Sequence, residues 1–480
     1  MMAECVLRFR LLLTVCVIAM MITGLACCTV GPDFVKPKPQ VPHNWAEAPK
    51  GETSGKQPDL STWWTIFRDP ELNSLIDRAA ESNLDLQIAE ARIREARAQR
   101  IVTASAAYPE INASGLYSRS RTSENANTSR ASAVPGGTNL FQVGFDAGWE
   151  IDVFGGVRRA VEAATADIEA TVENRRDVQV TLFAEVARNY LEVRGSQIRL
   201  GVAEKNIFTQ RQALEIAKAR YEAGLSSELD VAQAQAQLAT TEAGVPALET
   251  TMRTAIHQIG ILLGRSPAGL IDELLPIRPI PVGPPTIPVG LPSELLRRRP
   301  DIRRAEQELA GATARIGVAT ANLFPRFFLT GLVGQSSVSS SDFLQASSRY
   351  WAVGPTIDWP VFTAGRLRAQ VQVQNEKQEQ AAIRYEKTVL TALKDVEDAL
   401  VAYSKEQATR DSLIQAVKAN RQATEIANEL YTRGLVDFLN VLVTERAQYN
   451  AEDALAQSAQ RVSSNLVVLF KALGGGWEVD

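Results

Sequence analysis

The sequence predicts a mainly α-helical protein with a small β part, built from one helix–strand–strand–long-helix unit used twice. Three observations predict it: an internal repeat, two Pro-free stretches too long for an ordinary globular helix, and short alternating apolar runs ahead of each stretch.

The repeat is read from landmarks in order. Asn83-Leu-Asp-Leu-Gln-Ile-Ala-Glu-Ala matches Arg299-Pro-Asp-Ile-Arg-Arg-Ala-Glu-Gln at an offset of 216, and the same offset pairs Tyr108-Pro109 with Phe324-Pro325. Val153-Phe154 pairs with Val361-Phe362 at 208, and Tyr221-Glu-Ala-Gly-Leu with Tyr431-Thr-Arg-Gly-Leu at 210. Four landmarks at nearly one offset make the chain two copies of one structural unit.

Each copy opens with a helix of about 25 residues, stopped at Tyr108-Pro109 or Phe324-Pro325 because proline cannot continue a helix interior. After the strands come residues 156–221 and 364–431, Pro-free and rich in Ala, Glu, Gln, Arg and Leu. Tyr385, Val389, Leu393, Val396, Leu400 and Tyr403 recur at spacings of three and four, a coiled-coil-like stripe. A 65-residue helix is about 100 Å long, which suits a structure crossing a wide gap. Gly224 and Gly434 then break the helix before another long one.

The strands show where the gap leads. Phe141, Val143, Phe145, Ala147 and Trp149 alternate with Gln142, Gly144, Asp146, Gly148 and Glu150. Trp351, Val353, Pro355, Ile357 and Trp359 alternate with Ala352, Gly354, Thr356 and Asp358, whereas 110–118 and 326–334 alternate less cleanly. Ten-residue strands with one apolar face and aromatics near the ends fit a membrane barrel. Four strands cannot close one, since about eight are needed. Either they cover a soluble core or several chains pool them; the secretion signal, the alternation and the helix lengths favour pooling.

Composition excludes little else. The chain is 45% apolar and 22% charged with net charge −4, so it has neither the basic excess of a nucleic-acid binder nor the composition of a disordered chain. Arg8 and Arg10 precede an apolar run from Leu11 to Ala26, as in a secretory signal. All four cysteines (Cys5, Cys16, Cys27, Cys28) lie at or before position 28, so no disulfide framework is possible in the mature chain. Leu25-Ala26-Cys27-Cys28 resembles the bacterial lipobox, with Cys28 fitting the acylated position better than Cys27. Thr29 follows where Asp would retain the protein at the inner membrane.

The expected layout is a signal peptide at 1–27, a lipid-anchored extended tether at 28–62 and a first repeat at 63–275. A Pro-rich linker at 276–292, a second repeat at 293–473 and a C-terminal tail at 474–480 follow.

The residues resemble the TolC-like outer-membrane efflux family, in its OprM/NodT-type lipoprotein branch. The matching stretches are Cys28-Thr-Val-Gly-Pro-Asp-Phe, Trp63-Trp64 with Phe67-Arg-Asp-Pro, and Leu291-Pro-Ser-Glu-Leu-Leu-Arg-Arg-Arg-Pro-Asp-Ile. Phe362-Thr-Ala-Gly-Arg and Leu469-Phe-Lys-Ala-Leu-Gly-Gly-Gly-Trp complete the set. The resemblance implies a homotrimer in the cell outer membrane. Each protomer would give four strands to one twelve-stranded barrel, and the helices would form a hollow periplasmic barrel. It implies two partners, a periplasmic adaptor (membrane fusion) protein and an inner-membrane transporter of RND type, with export of small molecules such as drugs. No cofactor is implied beyond the covalent lipid on Cys28, and no nucleic acid.

No catalytic constellation stands out. The two histidines, His43 and His257, are too few for a zinc site, and the carboxylates are spread along helix faces. The resemblance instead places function at the turns holding Gly224 and Gly434, where second-repeat helices close the pore. It implies a gate latch in which Tyr431 bonds Asp230. The further Arg of that latch is replaced by Val436, with Arg433 close enough to substitute. The narrowest rings fall on Leu439, Asn440 and Val443, so an apolar gate is expected without the acidic ring of relatives. A type I protein-secretion duct and a metal-efflux duct are the alternative channels, although Met252 is the only methionine past the signal region. A helical scaffold without a pore is the alternative of another class.

Overall fold

The structure, a computed structural model, describes residues 29–47, 60–121, 123, 137–284 and 290–478. Cys27, Cys28 and the signal segment lie outside the described residues.

A 3-10 turn at Trp63–Phe67 leads into helices α1 (Pro70–Ser82) and α2 (Leu84–Ser105). Strands β1 (Glu110–Ser120) and β2 (Thr138–Ile151) follow, then α3 (Gly156–Glu222) and α4 (Glu228–Leu262). The second repeat runs α5 (Pro300–Ala321), β3 (Arg326–Ser337), β4 (Arg349–Asp358), α6 (Arg366–Thr432) and α7 (Phe438–Ala472). Equivalent helices match in length: 22 residues in α2 and α5, 67 in α3 and α6, and 35 in α4 and α7. The duplication is therefore real down to single residues.

The expected helix of about 25 residues ahead of Tyr108-Pro109 is α2, and a separate helix, α1, precedes it. Asp69 caps α1 by accepting from the amides of Glu71 and Leu72, and Pro70 occupies the first helical position, where its missing N–H is not needed. At Asn83 the side chain accepts from Leu86 N to start α2 and donates to Leu262 O. The side chain thus supplies the backbone partners lost at the break.

Two compact units form, and neither is a repeat. One takes the chain up to Pro37, Ile93–Ala170 and Ala305–Tyr385; the other takes Lys38–Arg92, Thr171–Arg304 and Glu386–Asp480. The repeats share one sheet, because β2 of the first pairs with β3 of the second.

In the first unit the sheet runs β1-β2-β3-β4, all antiparallel. The register gathers Ile111, Tyr117, Phe141, Val143, Phe145, Trp149, Val333, Leu329, Phe327, Trp351, Val353 and Ile357 on one face, because pairing is between residues of one parity. Asn112, Asp146, Glu150, Arg326 and Thr330 stand on the other face. There Arg326 pairs with Glu150, Asn112 donates to Asp146, and Gln142 donates to Tyr350. Tyr350 lies over Gly144 and Gly334, filling the space a side chain would take. The apolar face is bare: Trp351 is 75% exposed and Phe145 59%.

The expected tether is docked along its described parts. Val30 N donates to Phe154 O at 3.2 Å, and the nearly buried Arg159 holds Val30 O, Asp33 and Glu162. Gly31 has φ +93°, and a Cβ there would sit 2.4 Å from Gly317 Cα. In the second unit Trp45 is buried and donates to Gly290 O, while the amides of Ala46 and Glu47 bind Glu397. Polar segments with spaced tryptophan and glycine can dock as well as dangle, which composition alone does not separate.

The second unit has its core around Trp63, which is 1% exposed and stacks on Phe470 at 5.4 Å. Trp64 meets Phe183 edge-on at 4.9 Å. The expected C-terminal tail belongs to this core as far as Trp477. Gly475 passes the Trp63 ring, Gly476 takes φ +107°, and buried Trp477 lies under the guanidinium groups of Arg176 and Arg303. The described part of the Pro-rich linker is held likewise: Ser463 donates to Pro281 O, Tyr403 to Pro284 O, and fully buried Arg194 to the carbonyls of Leu274 and Pro276.

Candidate functional site

The site lies at the two turns joining α3 to α4 and α6 to α7, all in the second unit. Both turns are Schellman motifs. Gly224 (φ +70°) donates to Tyr221 O and Leu225 to Arg220 O, while Gly434 (φ +73°) donates to Tyr431 O and Leu435 to Leu430 O. A left-handed residue is required at that position, and glycine takes it without a Cβ clash. Leu225 and Leu435, next in line, are 67% and 66% exposed.

The repeats diverge just behind these equal turns. Tyr431, Phe438 and Val441 are buried with Leu214, Ala217, Ala234 and Ala427 in one apolar cluster, and Val436 packs against it. Tyr431 and Phe438 rings are 5.4 Å apart. At the repeat-equivalent positions the chain has Tyr221, 46% exposed, and Glu228, exposed. The second-repeat hairpin therefore supplies most of the aromatic core of the tip.

Leu439, Asn440 and Val443 stand off that buried stripe. Leu439 and Val443 are one helical turn apart and 55% and 58% exposed; Asn440 is exposed and its side chain donates to Asp437 O. The three positions share an uncovered surface of α7, two of them apolar.

The latch is not made as the sequence implied. Among the described residues the Tyr431 hydroxyl has no hydrogen-bond partner, and Asp230 accepts from Ser227 Oγ at 3.3 Å. Tyr431 is instead packed against Phe438, with the Arg220 guanidinium over its ring. Burial raises the Tyr431 phenol above its ordinary value; Arg220 opposes the shift and Asp230 adds to it. Arg433 takes no part. It pairs with Glu429 one turn back on an exposed face, a contact contributing no more than about 1 kcal/mol.

Arg220, which the sequence reading passed over, fills the place. Its Nη1 donates to Tyr431 O at 3.2 Å and its guanidinium carbon lies 4.7 Å from the centre of the Tyr431 ring. One sequence signal pointed to it: at the repeat offset of 210 its counterpart is Leu430.

Glu445 lies two turns into α7. It is 4% exposed, one carboxylate oxygen has no partner among the described residues, and burial pushes its carboxyl above the usual range against a hydrogen bond with Asn428. Between the ordinary glutamate value and the raised folded one, the unfolded chain has released a proton that the folded chain keeps. Stability is therefore lost as pH rises through that window. Glu445→Gln is expected to unfold at a higher temperature than the parent at pH 8, with the gain vanishing near pH 4. Melting curves at the two pH values check it, and an equal shift at both would contradict the assignment.

The bare-faced sheet and paired hairpins define the protein as a channel of the outer membrane. The sequence pattern of outer membrane efflux proteins matches the chain twice, at residues 75–265 and 291–475, and the chain belongs to that family. It is 33% identical over 476 residues to the pyoverdine export outer membrane protein OpmQ of Pseudomonas putida, covering 97% of this chain and 98% of that one. It is 31% identical to nodulation protein T of Rhizobium leguminosarum bv. viciae, covering 94% and 92%. The solved structure of the outer-membrane channel OprN superposes with a TM-score of 0.87 at 36% identity, covering 94% of this chain and all of that one. The family is one of channels.

Proposed function

We propose that three copies of this chain close a twelve-stranded barrel in the outer membrane. The same trimer forms the exit duct of a tripartite pump exporting small molecules such as drugs. The observation that carries the reading is the four-stranded sheet with a bare apolar face and no partner strand on the outer side of β1 or β4 among the described residues. Each unpaired backbone group on such an edge costs several kcal/mol in lipid, so the edges must be paired by other copies. Three chains pass the number of strands needed for closure.

The paired hairpins are the end where a periplasmic adaptor docks, with an RND-type transporter of the inner membrane feeding the duct. The exposed Leu225 and Leu435 support this, since bare leucines at a turn suit a protein partner. Lipid on Cys28 anchors the N-terminus in the outer membrane, and the docked segment from Thr29 onward supports a fixed attachment point. Selection of cargo falls to the transporter, and export draws from periplasm or cytoplasm.

Purified protein reconstituted in a planar bilayer is expected to give discrete channel events, and native mass spectrometry a trimer with acylated N-termini. Events without a trimer would overturn the assembly, and a trimer without events would leave a scaffold. An acyl-free N-terminus would overturn the anchor alone.

A further inference from the structure

Arg220 sits in the last turn of α3, yet its side chain serves α6. Its Nη1 and the amide of Gly434 both donate to the carbonyl of Tyr431, at 3.2 and 2.9 Å, using both lone pairs of that oxygen. The guanidinium covers one face of the Tyr431 ring, and Phe438 packs against the same ring. The guanidinium lies beside Gly434, where a Cβ would meet Arg220 Nη2 at 3.9 Å in ordinary contact. The positive charge thus lies at the C-terminal ends of two helices at once, where exposed carbonyls favour a cation. The contact is one-sided, because Leu430 stands where α6 would send an arginine back.

Two buried polar atoms remain unused there among the described residues, Arg220 Nε and the Tyr431 hydroxyl. The contact therefore rests on the guanidinium face and one main-chain carbonyl, and the tyrosine hydroxyl contributes nothing to it.

We propose that Arg220 is the positioning residue that bolts the second-repeat hairpin to the first, and so sets how readily the channel tip opens. The proposal rests on the channel reading given above. It assigns to a cation–ring and carbonyl clamp the holding role that a Tyr431–Asp230 hydrogen bond would otherwise play. It also separates variants that the two devices would treat alike: the clamp needs the ring of Tyr431 but not its hydroxyl.

The test is single-channel recording on the full-length assembled protein, paired with uptake of a large antibiotic by cells carrying each variant. Arg220→Leu, which copies the repeat counterpart, is expected to raise open-state occupancy and antibiotic sensitivity at least several-fold. Arg220→Gln keeps a donor for the carbonyl but loses the charge over the ring, and falls between. Tyr431→Phe and Asp230→Asn stay at the parent level. Heat-modifiable assembly on gels confirms each variant is inserted, and Arg220→Gln carries the test alone where Arg220→Leu fails to assemble. Assembled Arg220 variants with parent conductance overturn the proposal, as does opening by Tyr431→Phe equal to that of the Arg220 variants. A parent protein with no conductance overturns the channel reading instead, so the two failures are distinct.

Discussion

Phe145→Arg is expected to stop the strands from inserting as a heat-modifiable barrel, while Asp146→Arg, one residue along, leaves insertion intact. Phe145 stands in the middle of β2, opposite Ala113 and Val333 on the apolar face, and is 59% exposed. An arginine on the lipid face near the bilayer midplane costs about 2–4 kcal/mol, and the proposed trimer would incur it three times. Asp146 points to the other face, beside Asn112 and opposite Leu332, among polar side chains. Fractionation with a heat-modifiability gel reads the result. Equal insertion of both variants, or equal loss, would mean the two faces do not differ in surroundings.

Trp63→Ala gives the second large effect, in the other unit. Trp63 is 1% exposed, stacked on Phe470 at 5.4 Å and edge-on to Trp64 at 5.8 Å. Truncating a buried tryptophan costs about 3–5 kcal/mol, since the cavity does not fully collapse. The loss should be high here because Gly475, which leans on the ring, has no side chain to fill the space. Thermal melting in detergent is expected to show a fall of many degrees. Trp351→Ala, at a 75% exposed strand position, is expected to melt close to the parent. Comparable melting of the two variants would show that Trp63 is not a keystone.

Large features were legible in the sequence because they are periodic. Period-2 alternation placed β2 and β4 within a residue or two of their ends, and the offset of 210 returned helices of equal length. β1 was harder to read, since Leu116 on the polar side and Gly115 on the apolar side break its alternation; only the register with β2 sorts them. The docking of the expected tether and of the Gly474–Trp477 turn was not legible. What holds them is a close glycine contact or a distant carbonyl, and neither leaves a periodic trace. The tip shows the same limit. Gly224 and Gly434 sit at the two turns, both with positive φ. The partner of Tyr431 was not legible, because a cation over a ring depends on side-chain direction, whereas the resemblance carried over only positions.

The close approach of Gly31 to Gly317 has a consequence for how much slack the N-terminus retains. Thr29 rests against Gly155, between the end of β2 and the start of α3. Residue 28 is one Cα step of about 3.8 Å from Thr29. The lipid proposed for that residue would therefore hang on a leash one peptide long, fastened at the margin of the strands. Before the first unit folds, the same leash is the whole unfolded segment. Folding would reel it in, bringing the sheet and that proposed lipid side by side.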